Sequence, residues 1–213
     1  TSANILHPLL HRNTSDLSEQ RFSSTFTGSE FFLADHLVQG KKVLPGVAYL
    51  EMARAAVEQA ASLSDPAGIS LKNIVWARPI AVENDPVEVH IGLFPEENGE
   101  IGYEIYTLTD TDQKNGEALV HSQGTAILKS AHEVPSIDIE SLQVQCNKTI
   151  IGSEECYEAF AKVGLEYSAG LRGIEKIYVG ENQALAKLFL ENITDEFVLH
   201  PGLTDSALQA SIG

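Results

Sequence analysis

Leu199-His200-Pro201-Gly202-Leu203-Thr204-Asp205-Ser206-Ala207-Leu208-Gln209-Ala210, close to the end of a 213-residue chain, repeats a pattern first met at Val43-Leu44-Pro45-Gly46-Val47. In both stretches a strand end runs through Pro-Gly into an apolar residue and then a helical spacing of side chains. Proline suits the first turn of a helix because its φ is already set and its missing N–H would have no partner there. The two Pro-Gly pairs stand 156 residues apart, Pro45 to Pro201, which predicts two copies of one strand-turn-helix unit.

Working outward from the first copy, Gly46 to Ser62 forms a helix. Val47, Leu50, Ala53, Val57 and Ala60 recur at steps of three and four, and Glu51, Arg54 and Glu58 fall on the other face within salt-bridge reach of one another. Ser64-Asp65-Pro66 closes it. Strand character follows at Ile69–Arg78, Val87–Phe94, Ile101–Leu108 and Glu117–Lys129, with breakers at 83–86, 95–99 and 110–116. Consecutive antiparallel strands with a helix laid against one curved sheet give an α+β fold. A linker is expected within 130–149, then a helix at Ser153–Val163 and strands at Arg172–Val179 and Gln183–Leu190. The expected units are 1–131 and 151–213, joined by 132–150. Only 11 residues follow Gly202, against some 85 residues of strands after the first Pro-Gly. The second unit is therefore expected to be cut short of most of its sheet.

Composition excludes other classes. The chain is 43% hydrophobic and 21% charged with 16 Gly and 8 Pro, unlike collagen or a disordered chain. No apolar run is long enough to span a bilayer, and residues 1–20 lack the apolar centre of a signal peptide, so no membrane association and a cytoplasmic location are expected. Fourteen Lys and Arg against 30 Asp and Glu leave a net charge of −16, which repels a phosphate backbone and argues against nucleic acid. Cys146 and Cys156, with no His at zinc spacing, read as two reduced thiols.

Three places could carry chemistry. His36 lies four residues before Gly40 and nine before Pro45; it is either a loop histidine or, at a cleft mouth, a base acting near neutral pH without a metal. The helix starting at Gly46 directs backbone N–H groups outward, which is either a plain helix start or a place for a carbonyl oxygen gaining negative charge. Asp205 and Gln209 share a helix face, so the amide can orient the carboxyl. That carboxyl is either a helix-start dipole complement or, across an apolar cleft from His36, an acid held protonated by desolvation.

With these residues in hand, the sequence resembles a known family. His36-x-x-x-Gly40-x-x-x-x-Pro45 followed by Gly46 and a long helix is similar to the active-site motif of dehydratase domains of modular polyketide synthases and animal-type fatty acid synthases. His200-Pro201 with Asp205-x-x-x-Gln209 resembles the second motif, and His7-Pro8-Leu9-Leu10 and Gly164-Leu165-Glu166-Tyr167 are further landmarks. The first 60 residues are most similar to bacterial synthases served by free-standing acyltransferases. The resemblance implies a double hotdog in which one half supplies His36 and the other Asp205. It implies loss of water from a β-hydroxyacyl thioester on the phosphopantetheine arm of an acyl carrier protein. His36 would take the α-proton and Asp205, oriented by Gln209, would protonate the leaving hydroxyl. The Gly46 amide would bind the thioester oxygen and Tyr167 would contact the substrate. No metal or cofactor is implied, because the thioester already acidifies the α-carbon. The implied partners are the carrier protein, neighbouring synthase domains and a second copy in a homodimer.

The family usually follows Gly-x-x-Tyr with Gly-Pro and, two residues on, a ring; here Tyr167-Ser168-Ala169-Gly170-Leu171 stands instead. That departure keeps open a double-bond isomerase or a cyclase on the same fold, beside a non-catalytic hotdog module. An isomerase of this family typically lacks the Asp. Carrier proteins are usually acidic, so docking is expected to rest on tethering rather than charge steering.

Overall fold

The computed structural model describes residues 5–61, 68–109, 117–129, 135–191 and 193–212. The helix-closing residues 64–66, the breaker at 110–116 and the start of the linker at 130–134 lie outside these. A six-stranded antiparallel sheet has the order β1 (Arg12–Asn13), β2 (Gln20–Phe26), β7 (Val87–Pro95), β8 (Ile101–Leu108), β9 (Ala118–Leu128), β5 (Ile69–Trp76). The four expected strands are present, but they are not laid down consecutively. β5 pairs with β9 at the far edge, and its expected place beside β7 is taken by β2. β2 was not expected: its core face reads Phe22, Ser24, Phe26, and the serine breaks the apolar alternation.

Helix α2 (Gly46–Ala61), the second in the chain after the single turn α1 (Phe31–Ala34), lies across this sheet and touches β5, β7, β8 and β9. Val47, Ala48, Ala53, Ala56 and Val57 are fully buried, and the small side chains allow close approach of the sheet. The face opposite the apolar stripe is largely buried as well. Glu51 is 0% and Arg54 5% exposed, because the second half of the chain covers that side. The ion pairing itself is as expected: Arg54 Nε donates to Glu51 at 2.8 Å and Nη1 to Glu58 at 2.9 Å.

A second sheet joins the two halves. Its order is β11 (Leu165–Tyr167), β3 (His36–Val38), β4 (Lys41–Val43), β6 (Ala81–Val82). The second half has its own three-stranded sheet, β10 (Thr149–Gly152), β12 (Ile174–Val179), β13 (Ala184–Leu188), placed ahead of helix α5 (Pro201–Gln209) rather than after it. Helix α4 (Ser153–Lys162) and α5 touch that sheet around Cys156, Tyr157, Phe160, Ile174, Ile177 and Ala210. The expected linker contains a helix, α3 (Ile139–Gln145), started by Asp138, whose carboxylate accepts the Ser141 N–H at 3.0 Å. Cys146 and Cys156 are both free and buried. Among the described residues no helix is long and apolar enough to cross a membrane.

Candidate active site

His36 opens β3, and the tight hairpin to β4 sets its surroundings. Gln39 and Gly40 both have positive φ, 51° and 77°, the backbone of a two-residue hairpin turn whose twist matches the strands. The turn pairs Leu37 with Lys42 and carries the chain back to Val43. There the Val43 carbonyl lies 2.6 Å from His36 Nδ1. A carbonyl can only accept, so Nδ1 carries a proton, and in the neutral ring it is Nε2 that has the lone pair. His36 is 8% exposed. Gly40 stands at the exposed tip of this hairpin, where its positive φ makes the turn that orients the strand carrying His36.

On its other side β3 pairs with β11, with Tyr167 opposite His36 and ring centroids 5.5 Å apart. Burial, then the neighbouring Asp205 carboxyl, push the Tyr167 phenol well above its ordinary value, so it stays protonated. The segment after Tyr167, where the family pattern is broken, forms a 3₁₀ turn at Ala169–Leu171. Its Gly170 N–H donates to the Asp35 carboxylate at 2.8 Å, and its Leu171 carbonyl accepts from Gln209 Nε2 at 3.1 Å.

Asp205 stands one turn into α5. The helix is started by His200, whose Nδ1 accepts the Gly202 N–H at 3.2 Å, with Pro201 at the first helical position. Gln209 Nε2 donates to Asp205 Oδ2 at 2.7 Å, and Tyr157 Oη donates to Gln209 Oε1 at 3.1 Å. With both ends of its amide held, Gln209 fixes the carboxyl. Burial pushes the Asp205 carboxyl up, against smaller opposing effects from Gln209 and from the charge of His36. Tyr167 and His36 face each other across the β3–β11 pair, and Gln209, which holds Asp205, also bonds the turn that follows β11, so α5 is tied to the same end of that pair. Pro45 is buried at the end of the hairpin, and Gly46 begins α2 with its carbonyl accepting the Trp76 indole N–H at 2.8 Å.

Sequence reasoning missed Tyr157 and Asp35, whose partners lie 52 and 135 residues away. A cavity of about 770 Å³ touches the site at Asp35, Gly170 and His200, but its walls include none of His36, Tyr167 and Asp205. Among the described residues no group of three or more His, Cys, Asp or Glu is arranged to hold a metal ion.

Comparisons with known proteins bear on the family and the fold. A family model described as the polyketide synthase dehydratase domain matches residues 7–108, and one described as the polyketide synthase dehydratase N-terminal domain matches 137–213. The chain is 52% identical over 219 aligned positions to polyketide synthase PksM of Bacillus subtilis, covering 100% of this chain and 5% of that protein. A crystal structure of a trans-AT polyketide synthase dehydratase domain from Brevibacillus brevis superposes with a TM-score of 0.92 at 54% identity, covering 98% of this chain and 74% of that one. The dehydratase domain of RzxB from Pseudomonas fluorescens gives 0.82 at 35% identity, covering 97% and 74%. The chain thus spans about a twentieth of the curated synthases it matches. The likeness runs through both halves of the double hotdog, and on it the chain belongs to the dehydratase domains of bacterial trans-acyltransferase polyketide synthases.

Proposed function

We propose that this domain is a hydro-lyase that removes water from a β-hydroxyacyl thioester to give the α,β-unsaturated thioester. His36 Nε2 takes the α-proton and becomes imidazolium. The electrons form the Cα=Cβ bond as the Cβ–O bond breaks, and Asp205 gives its proton to the departing oxygen, which leaves as water. The two residues then return to their starting states by proton exchange with solvent. Gln209 orients the acid, the Gly46 amide at the start of α2 takes the thioester oxygen, and Tyr167 contacts the substrate near the β-hydroxyl.

The observation that carries this reading is the pairing of unlike environments. Asp205 is a buried carboxyl whose protonated form burial favours and whose Oδ2 is held by Gln209, and on the neighbouring β3 strand stands a histidine whose Nδ1 is occupied by the Val43 carbonyl. Asp205 also favours dehydration over double-bond isomerisation, which needs no group to protonate a leaving hydroxyl. The substrate's carrier is an acyl carrier protein bearing a phosphopantetheine arm; the domain works in the cytoplasm beside its neighbouring synthase domains, as a homodimer and without a cofactor.

The test is incubation with β-hydroxyacyl carrier proteins, or their short pantetheine thioesters, followed by mass spectrometry. An 18-dalton loss is expected, abolished by His36→Ala and by Asp205→Asn. No loss with several chain lengths, or activity surviving in either variant, overturns the reading.

A further inference from the structure

Glu51 takes no part in the mechanism above, yet it is fully buried and both its carboxylate oxygens are engaged. Oε1 accepts the Val198 N–H at 2.9 Å and Oε2 the Leu199 N–H at 2.9 Å. Arg54 Nε and Nη2 donate from the same helix at 2.8 and 3.1 Å. His7 adds a fifth bond: its Nδ1 accepts the Leu9 N–H, so its Nε2 carries a proton toward Glu51 Oε1, 3.2 Å away. A buried carboxylate needs such partners, and here two of them are backbone groups of a segment 147 and 148 residues distant.

What that segment does gives the contact its meaning. The residue after Leu199 is His200, which starts α5, and Asp205 follows within the next two turns. Phe197, just before the clamped amides, packs edge-on against His7, Phe31 and His200. Glu51 lies five residues into the helix that starts at Gly46. One rigid helix therefore presents its first turn on one side of the site and grips the lead-in to the acid on the other.

We infer that Glu51 is a positioning residue, which by holding the Val198 and Leu199 amides sets α5, and with it Asp205, in register with His36. This rests on the dehydratase reading. The groups facing Asp205 are His36 from β3, Tyr167 from β11 and Gln209 on α5, and those facing Glu51 are His7, Arg54 and His200.

The experiment compares the wild-type domain, Glu51→Gln and Arg54→Met. Glu51→Gln puts an NH₂ donor against groups that are all donors, whereas Arg54→Met removes a charge partner but leaves both clamping oxygens. Expected for Glu51→Gln are a kcat lowered about 10- to 100-fold with KM within threefold, at least tenfold faster hydrogen exchange at the Val198 and Leu199 amides, and no change at α2 amides. Arg54→Met should melt earlier but keep kcat within threefold. A kcat within threefold for Glu51→Gln, or an equal kcat loss in Arg54→Met, overturns the inference. If Glu51→Gln does not fold, the wild-type domain decides: its Val198 and Leu199 amides must exchange as slowly as those inside α5, and exchange at open-loop rates overturns it. If the wild-type domain dehydrates nothing, the dehydratase reading fails separately. The clamp is then judged by ¹³C NMR of the Asp205 carboxyl, whose titration midpoint must fall in Glu51→Gln; an unmoved midpoint overturns the inference.

Discussion

Asp205 and Glu51 are two buried carboxyls driven in opposite directions. Burial raises Asp205, so its protonated form favours the folded state, and that stabilisation is present at low pH and lost as pH rises through its elevated value. Asp205→Asn should therefore abolish dehydration while leaving the melting temperature at pH 8 equal or a few degrees higher. For Glu51, burial alone would raise the carboxyl, but the bonds from His7, Arg54 and the Leu199 and Val198 amides outweigh it and hold it down to about 2. Its contribution is complete above the unfolded value near 4.5 and is lost as pH falls toward 2, a difference on the order of 3 kcal/mol. Urea unfolding at pH 5.5 and pH 3 should show that loss in the wild-type domain and a smaller one in Glu51→Gln. His36 and Asp205 were legible in the sequence because each sits at a fixed spacing from a Pro-Gly helix start. Glu51 was not, because a Glu-Arg-Glu triad at steps of three and four looks like a solvated helix face, and what buries it arrives from the other half of the chain.

At the scale of elements, short pieces do the placing. The β3–β4 hairpin turns on Gln39 and Gly40 at positive φ. A Cβ at Gly40 meets nothing within 4 Å, so Gly40→Ala should cost about 1 kcal/mol by backbone strain alone. Differential scanning calorimetry reads that cost, and activity should fall further than stability because the turn sets the distance from Val43 to His36. Gly202 is the opposite case, where space decides: a Cβ there would collide with the Gly170 carbonyl oxygen and press on Leu190 Cδ1 at 2.8 Å. Gly202→Ala should displace the 3₁₀ turn or α5, leaving little folded protein by circular dichroism at 37 °C. The long strands and the helices at 46, 153 and 201 were legible through periodicity. β3, β11 and the 3₁₀ turn were not, because three residues carry no period, and α3 was obscured by having no buried residue.

For the whole molecule, the charge of −16 bears on how substrate arrives. An acidic carrier is repelled, so raising salt from about 0.05 to 0.5 M should increase kcat/KM for carrier-bound substrate severalfold and leave a free pantetheine thioester unchanged. A fall with salt would show that a local basic patch outweighs the net charge. The double architecture was legible from two Pro-Gly starts, but the sheet that stitches the halves together was not, since its strands come from opposite parts of the chain. That stitching orders events during synthesis. β3 leaves the ribosome long before Leu165–Tyr167 exists to pair with it, so the nascent chain carries an unpaired strand edge beside His36 while some 130 further residues are made. A translation product stopped anywhere before Leu165 would keep that edge open, and it would be prone to pair with another chain's edge instead.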